Sequence, residues 1–283
     1  MDIGISAAAG VEADLPSLRA DTPQRAVTEH ILALADQAGF GAALIDAVAG
    51  PGEIPVITWR QFAHMVRAAA RGLSRRGLAE TDTAGIFVQD AVSHVLAVHA
   101  VRAAGASAAP VRPAQNAPEI AAQLKRSRAR LLITAAELAE LAIQAAERSW
   151  VRQVFAFGEA EGTTPFGSLL HAAKHGQPTV NGHVSHAGQA SHNGGYPAAR
   201  VLGLDGPGSG LTSRDVVVAA PPCGDPDAYT LLLDVALIAG ATIVAAPLRH
   251  VAAAVGAYKG TAAIVPRGTD VPGLPAERVF AVA

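Results

Sequence analysis

A single cysteine, Cys223, stands in the whole chain, so no disulfide can form within it and no multi-cysteine metal site can be assembled. Its place after Pro221-Pro222 reads as a small residue in a turn. Aromatic residues are scarce at 4% and charged residues make up 16%, whereas hydrophobic residues reach 50%. That balance excludes a disordered chain, which needs low hydropathy and high charge, and describes a closely packed globular protein. Charge of one sign is not in excess: the net charge is −2. Without a clustered basic face, nucleic acid is excluded as a partner. The Ala-rich runs are broken by Arg, His, Gly or Pro before they reach the roughly 18 apolar residues of a membrane helix, so no membrane span is expected. Met1-Asp2-Ile3-Gly4 carries no basic segment ahead of an apolar block, which argues against a secretory signal and for a cytoplasmic location. Two catalytic patterns are also missing. No Gly-x-Ser-x-Gly elbow exists for a serine hydrolase. The glycine-rich stretch 203–210 lacks the Gly-x-x-x-x-Gly-Lys-Ser/Thr spacing and contains no lysine, so it reads as a flexible connection.

What is present is an alternation of short apolar strands and helices. Thr22-Pro23 can cap and open a helix through about residue 37, since Thr accepts from an early N–H and Pro suits the first turn. Ala42-Ala43-Leu44-Ile45-Asp46 and Pro55-Val56-Ile57-Thr58 read as strands, and Thr58 can cap a helix carrying Phe62, Val66, Ala69 and Leu73 at helical spacing, closed by Gly77. The rhythm continues with strands at 85–88, 106–111, 130–134 and 151–157 and helices between them. It resumes after 211 with strands at 215–220, 242–245, 262–266 and 278–282. Strands apolar on both faces and separated by helices call for mostly parallel sheets covered on both sides, doubly wound by right-handed crossovers.

Residues 158–210 break this rhythm with Gly, His, Ser, Pro and Asn. The expected organisation is therefore a tail over 1–20, a first α/β subdomain over 21–157, an irregular loop or linker over 158–210, and a second, partial α/β subdomain over 211–283. His171, His175, His183, His186 and His192 form the densest histidine group, but no cysteine or carboxylate pattern completes a ligand set, so solvated loop histidines and no metal are expected. His94 and His99 fall on one helix at a spacing that does not align them on one face, and are expected at the helix surface or core edge. The basic run Lys125-Arg126-Ser127-Arg128-Ala129-Arg130 marks a helix end, where cations are favoured.

The order of these pieces carries more information than any one of them. Ala42-Ala43-Leu44-Ile45-Asp46, Ile57-Thr58-Trp59-Arg60-Gln61-Phe62, the 72–77 helix end and the 82–88 strand come first. His99-Ala100-Val101-Arg102-Ala103-Ala104-Gly105-Ala106, Pro110-Val111-Arg112-Pro113 and Ser127-Arg128-Ala129-Arg130-Leu131-Leu132-Ile133 follow. This succession resembles the N-terminal part of the acyl-adenylate-forming superfamily, the AMP-dependent synthetases and acyl-CoA ligases, and 215–222, 237–244 and Val265-Pro266 resemble the strands that come next. The resemblance implies an α/β fold of two flavodoxin-like, doubly wound, mostly parallel sheets, the partial N-terminal domain of an acyl-CoA ligase-like fold.

It also implies where a phosphate-gripping loop would lie. In the family that loop ends in Gly-x-Pro-Lys-Gly and works through backbone N–H groups, hydroxyls and a cation. In Ser191-His192-Asn193-Gly194-Gly195-Tyr196-Pro197-Ala198, the residues Ser191, Gly194, Gly195 and Pro197 keep the spacing and are the candidate cofactor-binding residues, while Ala198 stands in place of the lysine. Where the family usually places a histidine after the Pro-rich strand, this chain has Cys223-Gly224-Asp225. The family's metal-binding Glu, ribose-binding Asp and C-terminal catalytic lysine would come later than Ala283. The resemblance thus implies a truncated, catalytically inactive homologue with no catalytic residues and no cofactor, acting as a small-molecule-binding or protein-interaction module. A small acyl ligand, a second copy or a partner enzyme is the expected company. The alternative is an AMP-forming acyl ligase, using ATP and Mg²⁺, that is active only with a complementary partner chain; an unrelated flavodoxin-like binding domain would lack the two-sheet layering.

Overall fold

Side chains alternate across a strand, so a strand with apolar residues at successive positions must be covered on both faces. The computed structural model, which describes residues 24–48, 56–114, 116–171, 210–221 and 224–282, meets that demand with two sheets and three layers of helices. The first sheet has six strands in the order β11-β10-β8-β9-β1-β2, formed by β1 (Ala42–Asp46), β2 (Val56–Thr58), β8 (Val216–Ala219), β9 (Thr242–Ala245), β10 (Ala262–Pro266) and β11 (Val279–Val282). The second has five, in the order β4-β3-β5-β6-β7, formed by β3 (Thr83–Phe87), β4 (Ser107–Pro110), β5 (Ala129–Ala135), β6 (Gln153–Phe157) and β7 (Thr164–Pro165). Every pairing is parallel except β1 with β2. The α/β, doubly wound, mostly parallel character read from the sequence is what the chain adopts.

Four helices fill the space between the sheets: α1 (Gln24–Ala38), α2 (Trp59–Arg75), α3 (Ala91–Ala103) and α7 (Pro226–Ile238). Val217, Ala219, Ile243 and Ala245 face them from the six-stranded sheet, and Ala84, Ile86, Leu131, Ile133 and Phe155 from the five-stranded one. On the outer faces, Val218, Val244, Ala263 and Val265 pack under α8 (Val251–Tyr258), and Phe87, Ala129, Leu132 and Val154 under α4 (Ala117–Ser127) and α5 (Ala139–Glu147). The result is five layers.

Local signals set the boundaries. Thr58 caps α2 in a reciprocal box with Gln61, its side chain accepting from Gln61 N–H at 3.2 Å while Gln61 Oε1 accepts from Thr58 N–H at 2.9 Å. Asp90 caps α3 by accepting from Ser93 N–H at 2.7 Å. The basic run ends α4, with Arg128 in the left-handed region at φ 55°.

Two expectations need correction. The boundary at 158–210 is not where the sheets divide: β1 and β2 come from the 21–157 block yet lie in the sheet of β8–β11, because β1 pairs in parallel with β9 through Leu44–Ile243 and Ile45–Val244. The described beginning of the 158–210 stretch is also more ordered than its composition suggests. It supplies β7 and the short helix α6 (Gly167–Leu170), whose Leu169 closes on Gly72 of α2 so tightly that a Cβ there would lie 2.6 Å from the Leu169 carbonyl oxygen.

Candidate functional site

In open parallel α/β sheets, ligands collect where strands end and the next loops diverge, at the carboxyl ends. Here β8, β9 and β1 are adjacent and parallel, and their carboxyl ends open onto the start of α3, which follows β3 of the other sheet. A crevice forms at that junction, lined by Asp46 and Val48 after β1, by Gln89, Asp90 and Ala91 after β3, and by Ala219, Pro221, Ala245 and Pro247 at the ends of β8 and β9. Its walls are mainly apolar, with Val48 53% exposed on the lining.

Two acidic residues belong to its lining. Asp46 accepts from Val48 N–H at 3.0 Å, a local turn that fixes its direction. Asp90 caps α3, and burial holds its pKa above the ordinary carboxylate value; the negative charges of Asp46 and Glu137 push the same way, while the Ser93 hydrogen bond pulls against them. Among the described lining residues no lysine or arginine answers these charges. The cavity measures about 70 Å³. Ligand pockets ordinarily run to about 300–1,000 Å³, so the described part of this crevice is small by that measure.

The wall at β8 is pinned from behind. Tyr229 of α7, completely buried, donates its phenol O–H to the Ala220 carbonyl at 2.7 Å. Its ring stands edge-on to His94 of α3 at 5.3 Å between centroids. Behind Tyr229 lies a polar cluster within the middle layer. His94 Nε2 lies 2.7 Å from Thr230 Oγ1, which donates to the Pro226 carbonyl; His99 Nδ1 lies 2.9 Å from Thr28 Oγ1 of α1; and Arg102 Nη1 donates to Asp234 Oδ2 of α7 at 2.8 Å. Asp234 Oδ1 also lies 3.4 Å from His99 Nε2.

This corrects the expectation for His94 and His99, which are 2% and 1% exposed. Their five-residue spacing does send them to different faces of α3, but α3 is enclosed on all sides by α1, α2, α7 and both sheets, so every face is core. Burial pushes His94 down to about 3 and His99 well below its ordinary value, with the Arg102 charge acting in the same direction on both. The neutral imidazoles therefore persist through the physiological range.

The sequence-based site candidates Ser191, Gly194, Gly195 and Pro197 lie outside the described residues, as do Ala198, His175, His183, His186, His192 and Cys223. His171 is described, immediately after α6, and Asp225 serves as the N-cap of α7. Among the described residues no group of three or more His, Cys, Asp or Glu side chains is arranged to hold a metal ion. No helix among them is long and apolar enough to cross a membrane. The polar cluster was missed in the sequence, although lone charges inside otherwise apolar helices, Arg102 in His99-Ala100-Val101-Arg102 and Asp234 in Leu231-Leu232-Leu233-Asp234, were its signature.

Comparison with known proteins decides the family. The model of the AMP-binding enzymes matches residues 38–180, half of the chain. The chain belongs to the AMP-binding enzyme family. Solved structures agree on the fold. A long-chain-fatty-acid-CoA ligase from Archaeoglobus fulgidus superposes with a TM-score of 0.67 at 18% identity, covering 87% of this chain and 52% of the ligase. A benzoate CoA ligase from Burkholderia xenovorans LB400 gives 0.65 at 19% identity over 90% and 54%. An amide bond synthetase from Marinactinospora thermotolerans gives 0.63 at 16% over 86% and 49%. This AMP-binding family member thus spans about half the length of those structures. A search of curated proteins finds no match to its sequence.

The family implies ATP and Mg²⁺. Phosphoryl displacement needs cations or metal ions placed where negative charge develops. The described lining offers two acidic residues and no lysine or arginine.

Proposed function

We propose that this AMP-binding family member does not adenylate on its own and works as a small-molecule-binding module, its strand-end crevice taking a small neutral or cationic group. The lining of that crevice carries the reading: Asp46 and Asp90 inside, Pro221, Pro247 and Val48 around them, and about 70 Å³ of space. A carboxylate or phosphate placed there would face two like charges at short range in a partly desolvated site, an arrangement that is repulsive. A compact uncharged or ammonium-bearing group would not. The degenerate loop, with Ala198 in place of lysine, points the same way from the sequence.

The test is a turnover assay. The full chain is incubated with ATP, Mg²⁺ and a panel of carboxylic acids, and pyrophosphate release is followed against a no-enzyme control. Release at background level is the expected result, and acid-dependent release well above it would overturn the proposal. A second reading comes from the half-length match to the solved ligases. In that reading a complementary polypeptide supplies the rest of an AMP-forming acyl ligase, and adding such a chain would bring ATP-dependent turnover that neither shows alone.

A further inference from the structure

Six side chains in the middle layer form one buried cluster: Thr28 on α1, His94, His99 and Arg102 on α3, and Thr230 and Asp234 on α7. Their formal charges cancel, because Arg102 and Asp234 are paired and both imidazoles are neutral. The groups facing the two rings are Thr28 from α1, the Phe62 ring from α2, edge-on to His99 at 5.9 Å, Arg102 from α3 itself, and Asp234, Thr230 and the Tyr229 ring from α7. Among the described residues Arg102 Nε has no hydrogen-bond partner, and Asp234 is the only anion of the cluster, so a second cation in this space would have no second carboxylate to pair with.

We infer that this cluster is an acid-released latch: neutral, it fastens α7 to α3, and the uptake of one proton loosens α7 together with the crevice wall it holds. A proton on His94 or His99 takes the cluster from net zero to net +1 inside the core, where neither imidazolium is as well solvated as in water. The mechanical consequence follows from position. The first turn of α3, with Asp90 and Ala91, forms one side of the crevice, and Tyr229 of α7 holds Ala220 on the other through its phenol. Separation of α7 from α3 therefore moves the two sides apart.

The test is amide hydrogen exchange of the full chain, corrected for intrinsic rates, at about pH 7.5 and about pH 5. Peptides from 91–103 and 226–238 are expected to lose protection by about tenfold or more at the lower pH. Those from 129–135 and 139–147 should keep theirs. Unchanged protection at 226–238, or an equal loss across the whole chain, would overturn the latch. Asp234→Asn supplies an independent reading, since it sets the cluster to net +1 at neutral pH. It should show the acid-state exchange pattern at about pH 7.5. If that variant does not fold, Arg102→Gln combined with Asp234→Asn restores net zero and should recover protection at 226–238; a double variant as poorly protected as Asp234→Asn would count against the charge argument.

Discussion

The two sheets of this molecule are built alike and buried differently. Around the five-stranded sheet the core is nearly all apolar: Ile86, Leu132, Ile133 and Phe155 are completely or almost completely buried, and Thr134 is the one buried polar residue on its described strands. Toward the six-stranded sheet the middle layer encloses Thr28, His94, His99, Arg102, Thr230 and Asp234, and the same sheet's strand ends carry the acidic crevice. Apolar packing stabilises whatever the pH. A buried polar cluster is conditional, holding only while its charges cancel and its hydrogen bonds are made. The contrast suggests that the five-stranded side serves as a fixed platform, whereas the other side can respond.

Breaking the ion pair should have the largest effect. Arg102→Met leaves Asp234 buried without its partner and should cost about 3–5 kcal/mol by denaturant unfolding. Replacing both, as Arg102→Met with Asp234→Leu, should recover most of that loss, because a well-packed apolar pair of similar volume avoids the desolvation cost. On the platform side, Leu132→Ala should cost about 3 kcal/mol through the cavity it leaves, and that cost should be the same at neutral and acid pH. A Leu132→Ala cost that differed between neutral and acid pH would erase the comparison.

The pH response itself is smaller. Both histidines have folded pKa values below the unfolded value of 6.5, so the unfolded chain binds protons that the folded chain refuses, and stability falls as pH drops below 6.5. Each can contribute up to about 1.4 kcal/mol per pH unit, and about 2 kcal/mol should be lost between roughly pH 7.5 and 5.5. Asp234, raised by burial, acts in the opposite sense only nearer the carboxylate range. Replacing both histidines by glutamine should flatten the profile in that window. Gly72→Ala should cost about 1–2 kcal/mol, since its new Cβ meets the backbone of Leu169 and not a yielding side chain. The two-pronged surface pair of Arg67 with Asp36, at 2.8 and 2.7 Å, closes the series: Asp36→Asn should change stability by less than about 1 kcal/mol, and less still in high salt.

Much of the fold was legible because it rests on local chemistry. Thr58 and Gln61 spell a capping box, Gly77 closes the helix that follows, and the doubly apolar strands announce a covered parallel sheet. The family likeness was legible in the order of those pieces. What stayed hidden depends on pairing distant in sequence. Nothing near Leu44 reveals that it will lie beside Ile243, so the assignment of β1 to the later sheet could not be read locally. Likewise His99 looks like a helix-surface residue until α3 is seen to be enclosed on every side. The crevice stayed hidden: Asp46 was seen only as the end of a strand, and Asp90 was not singled out.

The most direct test of the central claim, that the crevice of this AMP-binding family member does not serve a nucleotide, is thermal unfolding of the full chain with and without excess ATP and Mg²⁺. A ligand held at about a hundred times its dissociation constant adds about 2.7 kcal/mol, which for a chain of this size raises Tm by roughly 5 °C or more. Tm is expected to stay unchanged within about 1 °C. A saturable rise of several degrees, seen with ATP and with AMP, would contradict it.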